Sequence, residues 1–368
     1  MRRNLAALVL IAAIITPLSL NQASAATPVI RITDKPHTGF DGKFRDNELA
    51  TSLLPDGKLG KLVSSFSNAK KTWVIDSALI AEIADMSDGY SFDGKEDKDG
   101  ETAAKNWLAR LTYSIGNSPV IALPFGNPDQ SLAKRLAPSE LNFYSAYAKE
   151  KLELQLGRAV KAENGWSKGS SGLAYPLRSI YTSNRQALTG LSSISTSEEI
   201  RDLRARLALI MNPDLDRVEQ SQFSYASVEA VKKMMSKLRV SPGRYQLTST
   251  SAKLPVTLIN DFDTPTVVSL SLSPQNSRMQ LQDIKKIELA ANSRQQLSIP
   301  VEVLAPGSTV VVAQFMNVKG QLVGEESKLE LNATIIDSRV AWFTTAAAIF
   351  LFLGAVTQSV HRIRRGRK

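Results

Sequence analysis

Two aspartates that directly follow apolar segments are the side chains best placed for chemistry. Asp76 ends the apolar residues 72–75, and Asp129 follows residues 119–124 and a turn. Carboxylates at the carboxyl ends of parallel strands point into a shared mouth, where two of them about 5 to 9.5 Å apart could serve as a glycosidase acid and base. The same placement suits helix N-caps, and this second role, with helices over residues 78–86 and 130–135, is the favoured prediction. Ligand binding is a third possible role for these two aspartates.

Aromatic side chains offer a second kind of site. Trp166 lies in the Gly- and Ser-rich residues 164–172, which have no helix or strand face that could bury an indole ring, so we expect it at the surface as a binding residue. Tyr175 follows at the expected start of a strand and is the other binding candidate. Trp73 and Trp107 lie within apolar patterns and are expected in the core.

Composition excludes several classes of enzyme. The chain has no Cys and only two His, His37 and His361, which excludes disulfides, thiolate nucleophiles and zinc sites that need a His pair. The S-x-x-K patterns at residues 67–70 and 131–134 lack the K-T-G and S-D-N companions of acyl-serine enzymes. The acidic residues 93–99 resemble half of a calcium loop, but Lys95 occupies the first ligand position. We therefore expect no metal, no cofactor and a non-enzymatic role, with a glycan hydrolase that uses Asp76 and Asp129 as the alternative.

Most of the net charge of +10 is at the two ends of the chain. Two arginines open the sequence, and five basic residues lie within the last seven positions. The interior then carries a charge of only about +3, which is ordinary for a solvated surface and predicts no nucleic-acid partner.

Both ends also carry targeting signals. Residues 1–25 combine Arg2 and Arg3, an apolar run and the sequence Ala23-Ser24-Ala25, as in a cleaved signal peptide. Residues 340–360 are uncharged, long enough to cross a bilayer, and followed by a basic tail at residues 361–368. We expect a single-pass protein of the cell membrane with its ectodomain outside, its C-terminus in the cytoplasm, and anionic lipids as partners of the tail.

The region between these signals predicts two folded parts. Residues 26–241 mix short apolar runs with amphipathic stretches, which indicates an α/β fold, either a reduced barrel or an open parallel sheet. Residues 242–335 alternate β-branched and polar residues with frequent turns, which indicates an immunoglobulin-like antiparallel β-sandwich of seven strands.

An ordered set of short segments resembles a family of actinobacterial exported envelope proteins of unknown function, anchored at their C-termini and commonly encoded beside a MurJ-type lipid II flippase homologue. The segments are residues 72–76, 86–90, 103–108, 122–129, 254–261 and 320–324. The resemblance implies an envelope role linked to cell-wall precursor handling, with an envelope protein or a cell-wall glycan as partner. The chain departs from the family at Ser77, where Pro is usual, at Asn127, where Asp is frequent, and in lacking the N-terminal β domain of longer members.

Overall fold

The computed structural model describes residues 27–64, 71–162, 172–334 and 338–365. The predicted signal peptide and the loop that contains Trp166 lie outside the described residues. The elements of the first part, in chain order, are β1 (Val29–Ile32), α1 (Glu48–Leu53), α2 (Lys58–Ser64), β2 (Thr72–Ile75), α3 (Ser77–Ser87), β3 (Ser91–Phe92), β4 (Lys95–Glu96), α4 (Lys98–Ile115), β5 (Val120–Ala122), α5 (Gln130–Leu136), α6 (Leu141–Leu156), β6 (Lys161–Ala162), α7 (Tyr175–Ser192), α8 (Glu198–Arg206) and α9 (Arg217–Met235).

Nine strands and one long helix complete the described chain. They are β7 (Leu238–Val240), β8 (Gly243–Leu247), β9 (Ser251–Asn260), β10 (Thr266–Pro274), β11 (Met279–Leu281), β12 (Ile284–Leu289), β13 (Ser293–Val303), β14 (Gly307–Met316), β15 (Leu322–Ala333) and α10 (Ser338–Arg365).

An open parallel sheet organises the first part. Its strand order is β1-β2-β5-β6, so neighbours in space follow one another along the chain, as they do in the wall of a barrel. One face carries Ile32, Trp73, Ile75, Val120 and Ala122, and these side chains form a single core with α1, α2, α3, α4 and α6. Of the two predicted arrangements, the described residues form the open sheet.

Local sequence explains where these helices begin and end. Asp97 caps α4 by accepting a hydrogen bond from the Gly100 N–H at 2.9 Å, and Gly116 ends the helix with a positive φ of 45°. A 3₁₀ turn at Pro138–Glu140 leads into α6, which stops because Gly157 adopts the left-handed conformation. Helix α8 is followed directly by the 3₁₀ helix Leu207–Met211.

The prediction for Tyr175 was wrong in secondary structure. Tyr175 is the first residue of α7 and not the start of a strand. Pro176 occupies the second helical position, where its missing N–H has no partner to lose. Leu177, Tyr181 and Leu188 then recur at helical spacing and are buried.

The second part is one sheet of nine strands that curls on itself. Each of the seven predicted strands corresponds to a strand of this sheet, and the alternating burial of β15 and β13 gives one inward and one outward face. It is not purely antiparallel, because β7 and β8 both pair with β15 in the parallel direction. The predicted boundary between residues 241 and 242 therefore falls between two strands that share a neighbour.

The two parts are joined by a continuous core. Buried residues of α7 and α9, among them Leu188 and Phe223, belong to the same hydrophobic cluster as the inward side chains of the sheet. Polar contacts reinforce the junction: the Asn317 side-chain amide donates to the Ser193 hydroxyl at 2.9 Å, and the Gln321 amide donates to the Gln186 carbonyl at 3.1 Å.

Helix α10 follows the sandwich and is long and apolar enough to cross a membrane. None of its apolar stretch, Trp342–Ser359, is buried, so no other part of the described chain covers it. In water such a surface would be costly, whereas a bilayer removes the cost.

The close approach of β15 to β7 gives a stability prediction. Gly324 has φ +73°, and a Cβ there would lie 2.3 Å from the Leu238 carbonyl oxygen. Gly320 has nearly the same φ, +76°, with nothing within 4 Å of a Cβ, and is a matched control. We expect Gly320→Ala to cost about 1 to 2 kcal/mol from backbone strain. Gly324→Ala should cost more, because the strands must also move apart. Denaturant unfolding of both variants tests this, and equal losses would contradict it.

Candidate functional site

Polar side chains collect at the carboxyl edge of the parallel sheet, where Asp76 and Asp129 were predicted to cap helices or, in the alternative, to form a catalytic pair. The segment after β1 contributes Asp34, Lys35 and His37, β2 is followed by Asp76, and the loop after β5 leads to Asp129. This edge is the usual ligand site of parallel α/β folds.

Asp76 is the N-cap of α3 and is almost fully buried. Its Oδ1 accepts hydrogen bonds from the Ala78 and Gly126 N–H groups, both at 3.0 Å. Burial raises the pKa of Asp76 to about 7, although these two hydrogen bonds favour the charged form, and the nearby charge of Glu82 raises the pKa further. One oxygen of the carboxyl therefore bonds to the backbone of two separate segments.

Asp129 is the N-cap of α5, as the favoured prediction had it. Its carboxylate accepts a hydrogen bond from the Leu132 N–H at 2.7 Å, and its own N–H donates to the Met211 carbonyl at 2.8 Å. The small cavity beside Asp76 is lined by Glu82 and Asn212 and does not include Asp129. The partner that the structure brings to Asp76 is thus Glu82 and not the second predicted aspartate.

Glu82 and His37 were missed as site residues. The Glu82 carboxylate accepts hydrogen bonds from the N–H groups of His37 and Thr38, at 3.1 and 2.9 Å, and His37 Nδ1 lies 2.7 Å from Asp46 Oδ1. Burial raises the pKa of Glu82, while the charge of His37 acts against this. Burial lowers the pKa of His37, but Asp46 and Glu82 outweigh it, so the pKa is raised. A sequence signal for Glu82 existed, since it shares the apolar face of α3 with Leu79 and Met86.

The 3₁₀ helix Leu207–Met211 closes this edge. Leu209 packs so tightly on Gly126 that a Cβ there would lie 2.6 Å from Leu209 Cδ2. Just after the 3₁₀ helix, the Asn212 amide donates to the carbonyls of Gly126 and Asp34, at 3.0 and 3.2 Å. The cavity that remains beside Asp76 measures about 10 Å³, which is enough for one water molecule and far too small for a sugar.

A large groove lies outside this edge. It measures about 1140 Å³ and is formed by residues 39–45, α8 and α9. Its floor is apolar, and Arg45 and Arg206 stand at the end formed by residues 39–45. Tyr175 is 82% exposed but does not line this groove. Trp73 and Trp107, predicted to be core residues, are buried in the α/β core.

Metal chemistry has no ready ligand set in the residues that the structure describes. They contain no group of three or more His, Cys, Asp or Glu side chains arranged to hold a metal ion.

Comparison with known proteins places the chain in a family. A family of unknown function, DUF6049, matches residues 72–368. The chain belongs to DUF6049. The matched residues include every described element from β2 to α10 and leave out β1, α1 and α2. No curated protein matches this DUF6049 member.

Several solved structures are similar to about a quarter of this chain. WR4, an MSP family member from C. elegans, is 15% identical, covers 27% of this chain and 99% of its own, and has a TM-score of 0.22. The PapD-like domain 7 of human CEP192 is 12% identical and covers 28% of this chain and 88% of its own, with a TM-score of 0.21. Salmonella alpha-2-macroglobulin is 20% identical over 26% of this chain and 7% of its own, with a TM-score of 0.21.

The buried Asp76 carboxyl predicts how stability depends on pH. Its pKa is about 7 in the folded protein and near 4 in an unfolded chain, so between pH 4 and 7 the folded state binds more protons. The free energy of unfolding should therefore fall as the pH rises through that window, by up to about 1.4 kcal/mol per pH unit. The pKa of Glu82 is also raised in the folded protein, so this group too lowers the free energy of unfolding as the pH rises.

Asp76→Asn keeps the hydrogen-bond acceptor and removes the titration. We expect it to flatten the decline that the wild-type protein shows between pH 4 and 7, measured by denaturant unfolding. Asp216→Asn changes an exposed N-cap of α9 and leaves Asp76 in place, so it should keep the decline. A wild-type slope that persists in Asp76→Asn would contradict the assignment.

Proposed function

We propose that this DUF6049 protein is a single-pass membrane protein whose ectodomain lies outside the cell and acts by binding a partner rather than by catalysis. The binding role is supported by the contrast between the filled edge of the parallel sheet and the open groove. The carboxyl edge of the sheet, where an α/β enzyme would hold its substrate, is filled by Leu209 and Asn212. The groove between α8 and α9 remains open.

The membrane part of the proposal rests on α10. An apolar stretch of 18 residues with none of them buried, Trp342–Ser359, follows the curled sheet in the chain. The basic residues that follow it in the sequence favour a cytoplasmic C-terminus. A role beside cell-wall precursor handling belongs to the proposal through the family resemblance of the sequence segments.

The hydrolase alternative is less favoured. A glycosidase acid and base must both reach the sugar, with about 5 to 9.5 Å between their carboxyl groups. Asp76 and Asp129 are 2% and 1% exposed, and each accepts hydrogen bonds from the start of its own helix. The two carboxyl groups that a hydrolase would need are therefore buried and hydrogen-bonded as helix caps.

The orientation gives a direct test. Protease added to intact spheroplasts should digest the ectodomain and leave a tag at the C-terminus protected, because α10 places the tail inside. Digestion of the tag from outside, with a cytoplasmic marker protein intact, would contradict the topology. If residues 27–334 lay in the cytoplasm, the proposed role outside the cell would be wrong.

The catalytic role has its own test. The wild-type protein and Asp76→Asn, both checked for folding by circular dichroism, are incubated with purified cell-wall glycan, and released reducing ends are measured. We expect no release from either protein. Hydrolysis by the wild type that Asp76→Asn abolishes, with the fold unchanged, would replace the binding role with the enzyme.

A further inference from the structure

Two arginines in the open groove have no carboxylate partner. On α8, Arg201 pairs with Glu150 at 2.7 Å and Arg204 pairs with Glu140 at 2.6 Å. Arg206, on the same helix, has no carboxylate within 4.0 Å among the described residues, and neither has Arg45. Arg206 acts on Glu82 and Asp85 only at longer range.

Both guanidinium groups are held in place by aromatic rings. Arg45 lies over the Phe223 ring, 4.4 Å from its centroid, and Arg206 lies over the Phe40 ring at 5.5 Å. The two rings contact each other edge to face with centroids 6.2 Å apart. Single hydrogen bonds, from Arg45 to the Gln222 side chain and from Arg206 to the Gly39 carbonyl, complete the arrangement. The positive charges therefore flank one pair of rings in a preorganised geometry.

Because Arg45 and Arg206 are half-buried, their guanidinium groups should attract an anion more strongly than those of fully exposed arginines. Both side chains are only partly exposed, and a charge-assisted hydrogen bond gains strength where water is partly excluded. A planar guanidinium with free N–H groups matches a carboxylate, which it can bind through two parallel hydrogen bonds.

The rest of the groove indicates the kind of molecule that carries the carboxylate. The floor consists of apolar or small side chains, namely Phe40, Leu203, Ala226, Ala230 and Met234. A volume of about 1140 Å³ is far larger than one anion needs. The lining also contains charged side chains of both signs, namely Asp41, Glu199, Asp202, Glu229, Lys233 and Lys237, of which Glu199 and Lys237 pair with each other. Apolar lining residues, lining charges of both signs and two guanidinium groups without a carboxylate partner suit a peptide in which separate acidic side chains alternate with apolar ones.

We propose that the groove between α8 and α9 binds an acidic peptide segment, with Arg45 and Arg206 as the residues that bind its carboxylates. This deepens the proposed binding role and rests on it. The membrane-topology test does not involve these residues, so failure of one proposal can be told from failure of the other.

The experiment uses the full chain in nanodiscs and a fluorescent peptide of three Glu-Leu repeats with blocked ends, with empty nanodiscs as the blank. Fluorescence anisotropy measures affinity. We expect binding that weakens with salt and at least about tenfold weaker binding of the matched Gln-Leu peptide. Equal binding of the two peptides would overturn the proposal. Inorganic phosphate that displaces the peptide at the peptide's own dissociation constant would also overturn it, by assigning a simple anion site.

Variants locate the site. Arg45→Gln and Arg206→Gln should each weaken binding about 10- to 100-fold, the range for loss of a hydrogen bond to a charged group. Arg201→Gln, a control on the outer side of α8, should keep the wild-type affinity. Ala226→Trp fills the groove from an exposed position of α9 and leaves both arginines intact, so it should block binding even if an arginine variant unfolds. Wild-type affinity in Ala226→Trp would overturn the location.

Discussion

The Asp76 carboxylate connects parts of the chain that are far apart in sequence. It accepts one hydrogen bond from the start of α3 and another from Gly126, in the loop after β5. The Gly126 carbonyl in turn accepts a hydrogen bond from Asn212, which also reaches Asp34 after β1. A buried carboxylate without such partners would be strongly unfavourable. The loops after β1, β2 and β5 are therefore held together by one network around this group.

Closure of the sheet edge follows from the same network. Gly126 has φ +74°, and the absence of a side chain there lets Leu209 approach the backbone. Since Asn212 bonds to both Gly126 and Asp34, the 3₁₀ helix before it is drawn over the edge of the sheet. The residues that an enzyme of this architecture would use for chemistry serve here to stabilise the fold. The groove proposed to bind a partner lies outside this edge, between α8 and α9.

Helix α9 links that groove to the rest of the ectodomain. Ala226 and Ala230 face the groove, while Phe223 and Val231 belong to the core that continues into the curled sheet. Because Phe223 also supports Arg45 through its ring, the groove residues and the core depend on the same side chain. A substitution such as Phe223→Leu would alter both, which is why the groove is better tested at Ala226.

Local patterns in the sequence were sufficient for much of this structure. The apolar run of α10, the alternation of the sheet strands and the caps at Asp76 and Asp129 depend on residues close together in the chain, so they could be predicted. Tyr175 shows the limit of such patterns, because its apolar neighbours fit a strand or a helix until α7 packs against the sheet. Only tertiary structure decided that Glu82 meets His37, that Asn212 seals the edge beside Asp34, and that Arg206 stands by Gly39. The last two pairs are separated by 178 and 167 residues, and spacing in the sequence carries no information about side chains that the fold brings together over such distances.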